Sequence, residues 1–165
     1  MAGSEHQGSE AASGFAEDTL EELLEQAHAN AQATIIATAA FLDEHGVPIE
    51  AWTEALGRTF ALAWDEPSPW EAGEFLDALL TNYRSLGATI VSAELAADQA
   101  AATITGFPDP ALCAVFGVDP ALAARFNDVP AVLARDRGLG WRWRRDGETT
   151  HLVAERRGEG ATPRG

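Results

Sequence analysis

Lysine is absent from the 165 residues, and cysteine, tyrosine and methionine each occur once. A single thiol, Cys113, can form no intrachain disulfide and supplies neither a CxxC pair nor a Cys/His zinc set. The chain is therefore expected to fold without covalent staples in a reducing, cytoplasmic setting. Long apolar runs are missing too: none approaches the ~20 residues that cross a bilayer. No basic stretch followed by an apolar core opens the N-terminus, so the expectation is a protein neither secreted nor anchored. Recognisable chemistry is equally scarce. There is no GxxxxGK loop, no GxGxxG after a strand, no HExxH, no GxSxG and no EF-hand loop.

Positive charge is thin in the first half. Residues 1–80 hold 16 of the 26 acids against one base, Arg58, while the remainder balances 10 acids with 10 arginines. The acidic half repels phosphate backbones and anionic membranes, which discounts nucleic-acid and membrane partners. It serves solubility or, alternatively, presents an acidic scaffold face to a basic protein.

What is present is periodicity. Residues 1–14 and 158–165 are rich in Gly, Ser, Ala and Glu and read as tails flanking one domain over 15–157. Leu20, Leu23, Leu24, Ala27, Ala31, Ile35, Ala39 and Leu42 recur at three- and four-residue steps, which predicts a long amphipathic helix with that face inward. Asp18 is its expected N-cap and Gly46 its expected C′ residue, with Pro48 starting the next helix. Ile49, Trp52, Leu56, Phe60 and Ala63 mark a second helical face. Ser68, Pro69 and Glu71 form a candidate capping box for a third helix, whose inward side is Ala72, Phe75, Leu76, Leu79, Leu80 and Tyr83.

After Gly87 the period falls to two. ATIVSAEL, an AAD turn and QAAATITGF predict a β-hairpin. Asp109-Pro110 and Asp119-Pro120 each pair an N-cap with proline at N1, and Pro130 marks a kink or a fresh helical start. A second hairpin follows in GWRWRRDGETTHLVAER, residues 140–156, with a type I′ turn expected at Asp146-Gly147. That register sets Arg145 opposite Glu148, Trp143 opposite Thr150, Arg142 opposite His151 and Trp141 opposite Leu152. One face then carries Trp141, Trp143, Thr150, Leu152 and Ala154 toward a core, and the other carries Arg142, Arg144, His151 and Val153. Strand geometry explains the alternation of Trp and Arg without invoking an anion-gripping surface. The fold class is α+β: three N-terminal helices, then a four-stranded antiparallel sheet of two hairpins joined by a helical crossover.

Candidate chemistry is sparse. Cys113 falls in the first turn of a helix, where a thiolate gains from the N-terminal field, yet Leu112, Ala114 and Val115 point to a buried, inert thiol. His28 reads as a surface or subunit-contact residue. Asp43, Glu44 and His45 at a helix end, Glu94 with Asp98, and Asp65 with Glu66 are more simply solvated carboxylate clusters than a metal site or an acid and base pair. No cofactor or metal is assigned.

The stretches FLDEHGVPIEAWTEALGRTFALAW, GATIVSAELAADQAAATITGFP and LGWRWRRDGETTHLVAER resemble a group of small bacterial proteins similar to the L-2-amino-thiazoline-4-carboxylate hydrolase-like families and, more remotely, to 4-vinyl reductase and haem-NO-binding ligand domains. The resemblance spans residues 17–156 by order of elements and implies a small-molecule pocket between helices and sheet, often in a dimer. The metal-binding cysteine pattern of the 4-vinyl reductase group is absent, no histidine matches a haem ligand, and no catalytic residue transfers. The resulting expectation is a homodimeric sensor or carrier-like module with an apolar pocket lined by Trp52, Phe60, Trp64, Tyr83 and Phe107, and with Arg142 and His151 as polar anchors. The alternatives are a hydrolase of a small carboxylic or amide substrate, using Cys113 or His151, and the acidic scaffold.

Overall fold

A computed structural model describes residues 18–64 and 69–157, so both tails, Ser68 and the Asp65 and Glu66 pair lie outside the described residues. The first helix, α1 (Leu20–Glu44), is capped by Thr19 rather than Asp18. The Glu22 N–H donates to Thr19 Oγ1 at 3.2 Å and the Thr19 N–H donates back to the Glu22 carboxylate at 2.7 Å, a reciprocal box. Gly46 follows the helix with φ +64°, as its place after the last turn requires.

The face of α1 that packs is not the one its leucines mark. Its buried residues are Gln32, Ile36 and Ala39, whereas Leu20, Leu23 and Leu24 are 84%, 53% and 53% exposed. At about 100° per residue the leucine stripe lies roughly 120° round the helix from the packed side. The expectation that Leu20, Leu23, Leu24 and Ala27 point inward is thus corrected. Gln32 is the reason. Its Nε2 donates to the carbonyls of Leu86 (2.7 Å) and Gly106 (2.9 Å), and its Oε1 accepts the Asp109 N–H at 2.8 Å. Three backbone groups at the ends of three other elements would otherwise be buried without partners, so this side of α1 is held against them.

Helix α2 (Ile49–Ala63) starts directly after its N-cap Pro48 and buries Ile49, Thr53 and Gly57. Trp52, Leu56 and Phe60, which mark one face with Ile49 in the sequence, lie on a neighbouring, half-exposed side. Helix α3 (Ala72–Ser85) begins later than the Ser68 box predicts, with Glu71 as N-cap paired to Glu74. The chain before it is already engaged, since the Trp70 N–H donates to Arg137 O at 3.4 Å. Phe75, Leu76, Leu79, Leu80 and Tyr83 are buried as the periodicity requires.

Strands β1 (Thr89–Leu95) and β2 (Gln99–Thr105) form the first hairpin, and β3 (Leu139–Asp146) with β4 (Thr149–Arg156) the second. All pair antiparallel in the order β1-β2-β4-β3. The crossover holds α4 (Pro110–Phe116), α5 (Pro120–Ala123), a 3₁₀ turn (Ala124–Asp128) and α6 (Pro130–Asp136). The two Asp-Pro caps form as expected, with Asp109 Oδ1 accepting the Ala111 N–H at 2.7 Å and Asp119 Oδ1 that of Ala121 at 2.8 Å. Pro130 marks a fresh start.

The second hairpin turns one residue later than expected. Asp146 pairs with Thr149, leaving Gly147 and Glu148 as the loop. Only Gly147 has positive φ, +58°, the arrangement of a type II′ turn, which spares Asp146 the left-handed conformation a type I′ turn would impose. Arg145 now faces Thr150, Arg144 faces His151, Trp143 faces Leu152 and Trp141 faces Ala154. Moving the turn by one residue changes partners but not faces, so both indoles keep the core side. The expected Arg145–Glu148 pair gives way to Arg145 Nε donating to Gly147 O at 2.8 Å. The core lies between this side of the sheet and α3, with Ala100, Ala102, Ile104, Leu152 and Ala154 buried.

Candidate functional site

Because α1 and α2 each pack through a side other than their most apolar one, both leave apolar side chains facing a shared groove. Its walls are Ala31, Thr34, Ile35 and Thr38 from α1, and Trp52, Leu56, Phe60 and Ala63 from α2 with Trp64 at its end. The floor is Leu79, Asn82, Tyr83 and Leu86 of α3 and the following residue, closed by Phe126, Val129, Pro130 and Leu133. The volume is about 620 Å³, open on one side. No strand contributes. The pocket therefore sits among helices rather than between helices and sheet, and it is of a size that takes small organic ligands.

Among the described residues the lining carries no charged side chain. Its hydroxyl and amide donors are committed within their own helices: Thr34 Oγ1 to Asn30 O (2.9 Å), Thr38 Oγ1 to Thr34 O (2.7 Å), Asn82 Nδ2 to Ala78 O (3.3 Å) and Ser85 Oγ to Asn82 O (2.7 Å). The Tyr83 hydroxyl donates to Asn127 Oδ1 at 2.6 Å, away from the groove. Burial, with the Asp128 carboxylate second, pushes the Tyr83 phenol far above its ordinary pKa, so it stays neutral. At the far end Trp64 stacks on Trp70 with ring centroids 5.5 Å apart. The buried Arg137 guanidinium sits 5.1 Å from each ring centroid, a cation–π clamp that fixes Trp64 at the groove mouth. Burial lowers the Arg137 pKa.

Of the residues singled out in the sequence, Trp52, Phe60, Trp64 and Tyr83 line this groove. Phe107 does not reach it; fully buried, it packs edge-on beneath Tyr83 and Phe126. Arg142 and His151 are on the opposite side of the sheet. Arg142 pairs with Glu155 at 3.0 Å and is mostly exposed, and His151 Nδ1 lies 3.2 Å from Thr103 Oγ1. The alternation of β3 and β4 sends them there once Trp141 and Trp143 face the core, so neither can anchor a ligand in the groove.

Cys113 is fully buried with Ile36, Val118 and Ala123, and burial raises its thiol pKa, only partly offset by Arg145. That suits an inert thiol. Among the described residues no three His, Cys, Asp or Glu side chains gather as a metal set, the Asp43, Glu44 and His45 cluster included. No helix among the described residues is long and apolar enough to cross a membrane. Sequence reasoning missed Ala31, Thr34, Ile35 and Thr38 as groove wall, taking Ala31 and Ile35 for core. Nothing in the spacing of α1 marks Gln32, which falls between its apolar positions, as the residue that sets the packed side. No protein-family model matches the chain, and no curated protein matches it.

Proposed function

We propose that the protein is a binding module, a carrier or sensor, for a small, neutral, apolar molecule held in the α1–α2–α3 groove. The carrying observation is a wall of aliphatic and aromatic side chains, free of charge among the described residues, whose hydroxyls already donate to protein acceptors. Such a surface offers burial of apolar area, worth about 25 cal/mol per Å², and little to a charged or strongly hydrogen-bonding ligand. The general resemblance to small-molecule-binding families points the same way. Among the described residues the groove lining offers hydroxyls but no Asp, Glu, His, Lys or Cys to activate one, so binding without turnover is the reading these walls support, and the Cys113 or His151 hydrolase has no geometry in its favour.

Trp52 and Trp64 report on the site directly. Titration with Nile red, a neutral apolar dye, is expected to raise dye emission and change tryptophan emission with a saturable isotherm. Phe60→Asp and Thr34→Arg, both at positions exposed enough to leave the fold intact, are expected to weaken it at least tenfold, about 1.4 kcal/mol. Absence of saturable binding of neutral apolar probes to the native chain, or equal binding by both variants, would falsify the proposal.

A further inference from the structure

The leucine stripe of α1 and the groove are two parts of one surface. On a wheel of about 100° per residue, Leu20, Leu24, Ala27, Ala31 and Thr38 fall within roughly 60° of one another. The same line of α1 therefore runs from unpartnered leucines at its N-terminal end to the groove wall at its middle. We propose that this line is a two-fold interface: α1 of a second copy lies antiparallel along it and covers the open side of the groove. The proposal builds on the groove as a ligand site, which is then completed only by the second copy.

An antiparallel pairing centred on Ala31 places Ala31 beside its own counterpart. It sets Ala27 against Ile35, Leu24 against Thr38 and Leu20 against Leu42 of the second copy, and each of these contacts occurs twice, as a two-fold axis requires. Exposed leucines of one chain thus meet the groove wall of the other. Small side chains at the centre, Ala27 and Ala31, allow close approach of the two helices. Thr34 and Thr38 are buried there at no hydrogen-bond cost, because their hydroxyls already donate to Asn30 O and Thr34 O.

The area suffices for association. Covering the exposed parts of Leu20, Leu23, Leu24 and Phe41, which is 56% exposed, together with the groove wall removes several hundred Å² per chain. That is on the order of the ~800 Å² per partner of a standard stable interface. The residues before Asp18 hold Met1 and Phe15 as their only large apolar side chains, too few to match the stripe, which argues for a second copy over the chain's own N-terminal segment. Asp18, Glu21 and Glu22 of one α1 approach Asp43 and Glu44 of the other, so like charges meet at both ends. Salt, by screening them, is expected to tighten the dimer, opposite to the weakening that salt imposes on an acidic face bound to a basic protein.

Sedimentation velocity at micromolar concentration is expected to show a dimer that strengthens with salt. The Leu20→Glu/Leu24→Glu chain is expected to be monomeric, with circular dichroism unchanged because both side chains are exposed within one chain, and with a Tm that no longer rises with protein concentration. Ala31→Cys is expected to cross-link to its own counterpart under mild oxidation, while the native chain with only buried Cys113 does not. The monomeric variant is expected to bind Nile red about tenfold more weakly, the loss for re-exposing roughly 55 Å² of apolar ligand area. A native chain that stays monomeric, a dimer indifferent to the double substitution, or an Ala31→Cys dimer that fails to cross-link overturns the α1 interface. A monomeric variant that binds the dye as tightly as the native chain overturns this inference alone, and a dimer of the stated kind that binds no neutral probe overturns the groove reading alone.

Discussion

Tyr83 shows how one side chain can serve the floor of a groove and the frame beneath it. Its ring faces the groove, while its hydroxyl donates to Asn127, whose Nδ2 donates in turn to Ala124 O at 2.8 Å. The Trp141 and Trp143 indoles donate to Asn127 O and Asp128 Oδ1, each at 2.7 Å. The 3₁₀ turn is thereby clasped between α3 and β3. With the folded pKa of Tyr83 raised, its contribution is fully present below the unfolded value of about 10 and is lost as pH rises above it, because only the unfolded chain releases the proton. Stability is expected to fall by up to about 1.4 kcal/mol per pH unit from this group in that window. Tyr83→Phe should flatten that slope while costing about 1–3 kcal/mol at neutral pH, since Asn127 Oδ1 is left buried and unpaired. Urea titrations across alkaline pH check both. As Tyr83 is the only tyrosine, tyrosinate absorbance should appear only as the chain unfolds; ionisation of the folded protein at an ordinary pKa would contradict the burial argument.

At the scale of elements, Gly57 decides how closely α2 and α6 meet. A Cβ there would stand 2.7 Å from Val132 Cβ and Cγ2 and 2.9 Å from Val129 O. Helix propensity alone says that Gly57→Ala stabilises by about 1 kcal/mol. The contact reverses the sign: overpacking costs about 1–3 kcal/mol, and a loss of roughly 1 kcal/mol is expected in denaturant titrations. Because α2 forms one wall of the groove and Pro130 and Leu133 close it, the same substitution should also weaken dye binding. Local chemistry made much of this level legible: the Asp-Pro caps, the turn at Ala96–Asp98 and the core side of Trp141 and Trp143 follow from spacing alone. The II′ turn at Gly147 did not, since Asp146-Gly147 and Gly147-Glu148 turns leave the same faces inward and differ in cross-strand partners and in which residues take positive φ, neither of which the hydrophobic pattern reads.

For the whole molecule, charge asymmetry sets how the protein responds to its solvent. The formal charge of −15 resides almost entirely in residues 1–80, so α1 and α2 carry a surplus of acid with few compensating ion pairs. Screening this self-repulsion is expected to raise Tm as salt is added at neutral pH. Glu50 adds an acid limit: its own backbone N–H and Arg125 hold its carboxyl below the ordinary value of 4.5, so its contribution is present above that value and fades as pH falls through the lowered one. Thermal unfolding of Glu50→Gln should show a weaker loss than the native chain as pH falls below the ordinary carboxylate value of 4.5; an identical profile would remove Glu50 from the account.

Element type, order, the two Asp-Pro caps and the glycine after α1 were written in the sequence by itself, because periodicity, Asp-Pro pairs and glycine after a helix act over a few residues of chain. So were four groove residues, Trp52, Phe60, Trp64 and Tyr83, by their size and helical spacing. Which side of each helix packs was decided only in the tertiary structure. For α1 the choice went to Gln32, whose three hydrogen bonds satisfy backbone groups more than 50 residues away in sequence, over leucines that needed only some apolar neighbour. That choice turned a stripe expected to be core into a groove wall and an uncovered flank. It also left Arg142 and His151 beyond the sheet, since hydrophobic burial specifies a side to hide but not the element that hides it.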